Sequence, residues 1–130
     1  MTRSITLVVV LAITGCAKDD KPAAPAQHTP SGPVNKDPAA ARKLIEGGAL
    51  VVDVRTPEEF EGGHLDRATN VPIQDFAERI AEVDKLVGGD KAKPVVVYCG
   101  SGGRASKAKA QLEKAGYTNV VNGGGYDDLR

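Results

Sequence analysis

Apolar residues are spaced in three different ways along these 130 residues, and each spacing predicts a different kind of segment. Residues 5–13 form a nearly unbroken apolar run behind Arg3, and residues 17–38 show no apolar period at all. Beyond Pro38, short apolar runs alternate with stretches of helical spacing. The runs at 49–54 and 94–98 suit strands buried on both faces, the second tolerating Pro94 at its first position. Between them Ile73, Phe76, Ile80, Val83 and Val87 recur at intervals of three and four, which predicts an amphipathic helix over 73–87, ended by Gly88-Gly89.

End signals complete the pattern. Asp37 as N-cap with Pro38 at the first position opens a helix that carries Leu44 and Ile45 toward the core and stops at Gly47-Gly48. Thr56-Pro57-Glu58-Glu59 is a capping box for a short helix ended by Gly62-Gly63. Residues 68–72 form a brief strand. Residues 105–115 form a helix with a small-residue face (Ala105, Ala108, Leu112, Ala115), and 118–121 a last short strand before Gly123-Gly124-Gly125. Such alternation predicts an α/β fold: a single domain over 38–130, with a small parallel sheet and helices on both faces. Roughly 90 residues suffice to fold without a disulfide or a structural metal.

The first run reads as an address. About ten residues at 1.5 Å each make roughly 15 Å of helix, half of a bilayer core, so residues 1–15 suit a signal peptide and not a span. Ile13-Thr14-Gly15-Cys16 resembles the lipobox of bacterial lipoproteins, which implies lipidation at Cys16, export, and an anchor in the cell envelope facing the periplasm. Ordinary cleavage after Ala17 is the alternative. Ala17 stands where Asp would mark inner-membrane retention in that class, which favours the outer membrane. Residues 16–37 then form a disordered tether holding four of the eight prolines. It would reach roughly 65 Å as polyproline II and about 25 Å as a coil.

Composition adds only exclusions. Lys and Arg number 17 against 17 Asp and Glu, so the net charge is zero. That balance offers no electrostatic reason to expect nucleic acid or a polybasic grip on lipid. The two cysteines, Cys16 and Cys99, have such different surroundings that each has its own explanation without a disulfide.

Chemistry concentrates where strands end, because ligands of open parallel sheets bind at carboxyl edges. One such end runs into Cys99-Gly100-Ser101-Gly102-Gly103-Arg104 and a helix; the other is Asp53-Val54-Arg55. Glycines let successive N–H groups turn toward one point, and the helix adds its positive end. A cysteine at the start of that cradle has its thiolate stabilised, and Arg104 adds a planar fork matched to an oxyanion. A buried, inert cysteine is the bland alternative. Asp53 is placed to orient Arg104 or Arg55, or to close a structural salt bridge beneath the loop. Arg55 either guards the pocket or pairs with Glu58 or Glu59. His64 reads as structural, and Tyr98, Tyr117 and Tyr126 as packing residues.

The segment from Tyr98 to Ser106 resembles the active-site loop of single-domain rhodaneses, Cys-x-x-Gly-x-Arg-Ser. Val52-Asp53-Val54-Arg55 with Glu59-Phe60, Gly63-His64-Leu65 with Ala68-Thr69-Asn70-Val71-Pro72, and Gly116-Tyr117 through Asn122-Gly123-Gly124 are similar to that family's other motifs, in the same order. The likeness is to small exported members of the phage-shock type. It implies a thiosulfate sulfurtransferase: Cys99 takes sulfane sulfur from a small donor such as thiosulfate, Gly100 to Arg104 cradle the persulfide, and cyanide or a thiol accepts the sulfur. No metal or organic cofactor is implied. Ala105 in place of Ser, Asp66-Arg67 in place of a Pro-Gly turn, and the absence of a Trp-bearing closing helix depart from the family pattern.

Cysteine phosphatases and arsenate reductases place five residues between Cys and Arg; here four intervene, and by the same resemblance the shorter loop favours sulfur. A thiol–disulfide oxidoreductase lacks its second cysteine beside Cys99. A non-catalytic or carrier-type sulfur-binding module, tethered to the membrane, is the alternative from another class.

Overall fold

The computed structural model describes residues 35–130; the expected signal peptide, Cys16 and all but the last three residues of the expected tether lie outside the described residues. Four strands form one wholly parallel sheet in the order β2-β1-β3-β4: β1 Leu50–Asp53, β2 Thr69–Asn70, β3 Val95–Cys99 and β4 Val120–Gly125. Helices α1 Pro38–Glu46, α2 Pro57–Glu61, α3 Phe76–Leu86, α4 Gly103–Lys114 and α5 Tyr126–Leu129 connect and follow the strands.

Every residue of β3 is buried, and its side chains alternate between two apolar cores. Val95, Val97 and Cys99 join Phe76 and Val83 of α3 and Ala105, Ala108 and Leu112 of α4 on one face. Val96 and Tyr98 meet Ala41 of α1 and Leu129 of α5 on the other. The α/β fold with helices on both faces is therefore as the periodicity predicts. Each fully buried valine contributes roughly 1.5 kcal/mol or more, which is why a four-stranded sheet holds.

Local signals act as expected at most helix starts. Asp37 accepts a hydrogen bond from the amide of Ala40 at 2.9 Å, and the Thr56–Glu59 capping box is complete. Contacts begin slightly ahead of Pro38: the Asp37 amide donates to the Asn122 carbonyl at 2.8 Å, and Lys36 pairs with Asp128 at 2.8 Å. Among the described residues no helix is long and apolar enough to cross a membrane.

Leu44 and Ile45 pack against the second core as expected, beside Ala41, which is wholly buried against Gly123 of β4. Two expectations change. The 73–87 helix begins as a 3-10 turn, Ile73–Asp75, and becomes α-helical only at Phe76. The last strand does not stop before the glycines but runs through them to Gly125. Register shifts between Val97 and Cys99, so that Val97 faces Asn122 and Cys99 faces Gly125, with one extra residue on β4. Gly124 absorbs that bulge at φ +89°.

The Asp66-Arg67 turn has its own signature. Arg67 is the one described non-glycine residue with positive φ, at 65°, a conformation that costs roughly 1 kcal/mol for a residue with a Cβ.

Candidate active site

β3 lies in the middle of the sheet, and its carboxyl end delivers Cys99 to the loop that opens α4. The cysteine is free and wholly buried. The Gly102 amide donates to its Sγ at 2.9 Å. Gly102 is the N-cap of α4 at φ 100°, where only glycine sits without strain, so the chain turns into α4 directly after the amide that meets the sulfur. The first-turn amides of α4, Gly103 to Ala105, have no intrahelical acceptor and leave the positive end of the helix beside the loop. Gly100 and Ser101 form the exposed rim over the sulfur.

Arg104 stands above this rim, its Nη2 3.1 Å from where a Cβ on Gly100 would lie. Its guanidinium is not an open fork. Nη1 donates to Glu59 Oε2 at 2.6 Å and Nη2 to Oε1 at 3.0 Å. Both side chains are about one-third exposed, at 34% and 38%. Glu59 Oε2 also accepts from the Thr56 amide at 3.0 Å, so one carboxylate caps α2 and grips the loop. Arg104, and next the Thr56 amide, hold the Glu59 carboxyl down at about 2. Glu59 in turn, with a smaller contribution from Cys99, raises Arg104 above its ordinary value.

Asp53 and Arg55 form a second, separate pair. Asp53 is fully buried and receives Arg55 Nη2 at 2.7 Å, Nε at 3.0 Å and 3.1 Å, and the Arg55 amide at 2.9 Å. Arg55 Nη2 also donates to the Gly63 carbonyl at 2.6 Å, and the guanidinium lies 5.6 Å and 4.8 Å from the ring centres of Tyr98 and Tyr126. Of the alternatives open from sequence, Asp53 therefore binds Arg55, not Arg104. Arg55 pairs with neither Glu58 nor Glu59; its Nε and Nη2 turn to Asp53. The hydrogen bond to Asp53 raises the Arg55 pKa. Tyr98 is more than packing: its hydroxyl accepts from the Leu65 amide at 3.1 Å, and burial pushes its pKa upward. His64 is exposed, stacks on Phe60 and bonds the Phe60 carbonyl, away from the sulfur.

Two residues of the site were not read from sequence. Glu59 is visible there as a capping residue, as part of a motif and as a possible partner of Arg55, but not as the partner of Arg104. Asn122, quoted only within a motif, is a buried tie: its Nδ2 donates to the Gly102 carbonyl at 3.0 Å and to Ser106 Oγ at 2.9 Å, while Oδ1 accepts from the Gly124 amide at 2.9 Å. A single amide side chain inside an apolar strand is the signal that marks it.

Two surface hollows, of about 270 and 520 Å³, are lined elsewhere, by residues such as Leu50 and Pro94 or Ile45 and Tyr126. Neither is lined by Cys99. Among the described residues no three His, Cys, Asp or Glu side chains are grouped to hold a metal ion.

Comparison with known proteins finds relatives of this domain. Thiosulfate sulfurtransferase PspE of Escherichia coli strain K12 is 40% identical over 78 residues, spanning 60% of this chain and 71% of that protein. A tRNA uridine(34) hydroxylase of Sodalis glossinidius is 41% identical over 78 residues, but these are 22% of its length. Among solved structures, a rhodanese with anions from E. coli superposes with a TM-score of 0.56 at 38% identity, covering 63% of this chain and 92% of that one. The rhodanese-like domain family matches residues 37–129, almost the whole described region, and the chain belongs to that family.

Proposed function

We propose that this protein is a sulfurtransferase that moves sulfane sulfur from thiosulfate or a similar donor to a thiophilic acceptor through a persulfide on Cys99. The observation that carries this reading is the Cys99 sulfur, set at the end of the central strand and bonded by the Gly102 amide at the mouth of α4. The 40% identity to PspE supports it. The Cys99 thiolate attacks the outer sulfur of thiosulfate; the S–S bond of the donor breaks, and its electron pair leaves with sulfite. Cys99 then bears a terminal sulfur with one negative charge, opposite the helix N-terminus and the loop amides Gly100 to Arg104. Cyanide or a thiolate attacks that terminal sulfur and returns the Cys99 thiolate. The cycle is covalent and ping-pong.

Purified protein should form thiocyanate from thiosulfate and cyanide, and Cys99→Ser should fall to background. Undiminished turnover by Cys99→Ser would sink the mechanism. A carrier that takes its persulfide from another protein is favoured by one observation, the complete burial of Cys99. A stable Cys99 persulfide seen by mass spectrometry, without thiosulfate turnover, is the result that reading expects.

The place of work follows from the leader. We read Cys16 as the lipidated residue of an exported protein, with the domain tethered at the envelope.

A further inference from the structure

The charges around the Cys99 loop cancel in pairs. Arg104 is held fork to fork by Glu59 at 2.6 and 3.0 Å, and Arg55 is held by Asp53 at 2.7 Å. Seen from a donor approaching over Gly100 and Ser101, a cation and an anion this close act as a dipole, and its field fades faster than that of a free arginine. The cap of α2 needs only a side-chain acceptor for the Thr56 amide, which glutamine supplies as well as glutamate. The cap itself therefore does not require the negative charge of Glu59, which is paired with Arg104. Glu59 stays ionised through the neutral range, its carboxyl being held at about 2.

We propose that Glu59 sets the donor specificity of this site: by neutralising Arg104 over Cys99 it favours sulfane-sulfur donors with one negative charge over dianionic thiosulfate. The inference rests on the sulfurtransferase reading and deepens it. Organic thiosulfonates are the matched probe, since they present the same outer sulfur with one charge fewer. The Cys99 thiolate attacks that sulfur, the S–S bond breaks, and a sulfinate leaves with the electron pair where thiosulfate would release sulfite. Glu59 is a positioning and selectivity residue in this account; it does not touch the reacting sulfur.

The test compares thiosulfate with methanethiosulfonate in wild type, Glu59→Gln, Arg104→Ala and the double variant. A freed charge acts twice as strongly on a dianion as on a monoanion, so the fold-changes in KM should stand in a square relation. If Glu59→Gln lowers the thiosulfate KM about tenfold, it should lower the methanethiosulfonate KM about threefold, and both gains should shrink as salt is raised. Arg104→Ala should shift selectivity further toward methanethiosulfonate, and the double variant should return near wild type. Equal changes for both donors, or a higher thiosulfate KM in Glu59→Gln, would overturn the proposal. Should Glu59→Gln not fold, wild type alone decides: a neutral mouth gives both donors similarly weak salt dependence, and a steep dependence for thiosulfate only refutes it. Transfer from both donors that survives Cys99→Ser, or is absent altogether, removes the sulfurtransferase reading and this inference with it. Cys99-dependent transfer with unmoved selectivity removes the inference alone.

Discussion

At the scale of single residues, the same charge types do two different jobs within a few ångströms. Asp53 is completely buried, and its carboxylate is satisfied by three donor atoms of Arg55. Arg55 in turn is shared with the Gly63 carbonyl and two tyrosine rings, tying the end of β1 to the segment before β2 and to α5. Removing one member of such a pair strands a buried charge. Asp53→Ala should therefore lower the unfolding free energy by about 3–5 kcal/mol, read from denaturant titration. The Arg104–Glu59 pair is one-third exposed, and solvent screens it, so it adds little to stability. Both Asp53 and Arg55 were candidates from sequence; which arginine met which carboxylate was not legible, because the partner Glu59 comes from another element.

At the scale of elements, the site depends on how closely β4 approaches the loop after β3. A Cβ on Gly125 would run into the Gly100 carbonyl, and one on Gly123 would lie 2.7 Å from Leu129 Cδ1. The glycine run is therefore strand and not turn: missing side chains let the loop and α5 close over the sheet. Asn122 adds the polar half of this joint through Gly102 and Ser106. Gly125→Ala should push the Gly100 carbonyl away and unseat the Gly102 amide from Cys99. We expect a loss of sulfur transfer of about tenfold or more, together with destabilisation of about 1–3 kcal/mol, the range of overpacked sites. Activity and melting temperature measured on one preparation check both. Sequence alone reads three glycines as a stop; the reason for them is a neighbour far along the chain.

At the scale of the whole molecule, a zero net charge gives no electrostatic reason to expect capture of nucleic acid. The lipidation reading has a direct check. Full-length protein made in a bacterium should partition with membranes and bind palmitate label, and Cys16→Ser should lose both. Unchanged partitioning in Cys16→Ser would reduce the leader to an ordinary cleaved or uncleaved signal.

Local chemistry in the sequence was enough to determine the alternation of elements, the buried strands, the capped starts of α1 and α2, and the cysteine loop with its helix. Each rests on contacts within a few residues, so periodicity and end signals carry it. What only the tertiary structure decided were the pairings: Asp53 with its near neighbour Arg55 and not with Arg104, and, across the chain, Glu59 with Arg104 at a separation of 45 residues, Asn122 with Gly102, and Gly125 beneath Gly100. A charge or a glycine states in sequence that it needs a partner or a space. Only packing of the sheet settles which one, since several candidates of equal chemistry lie within reach until the strands take their register.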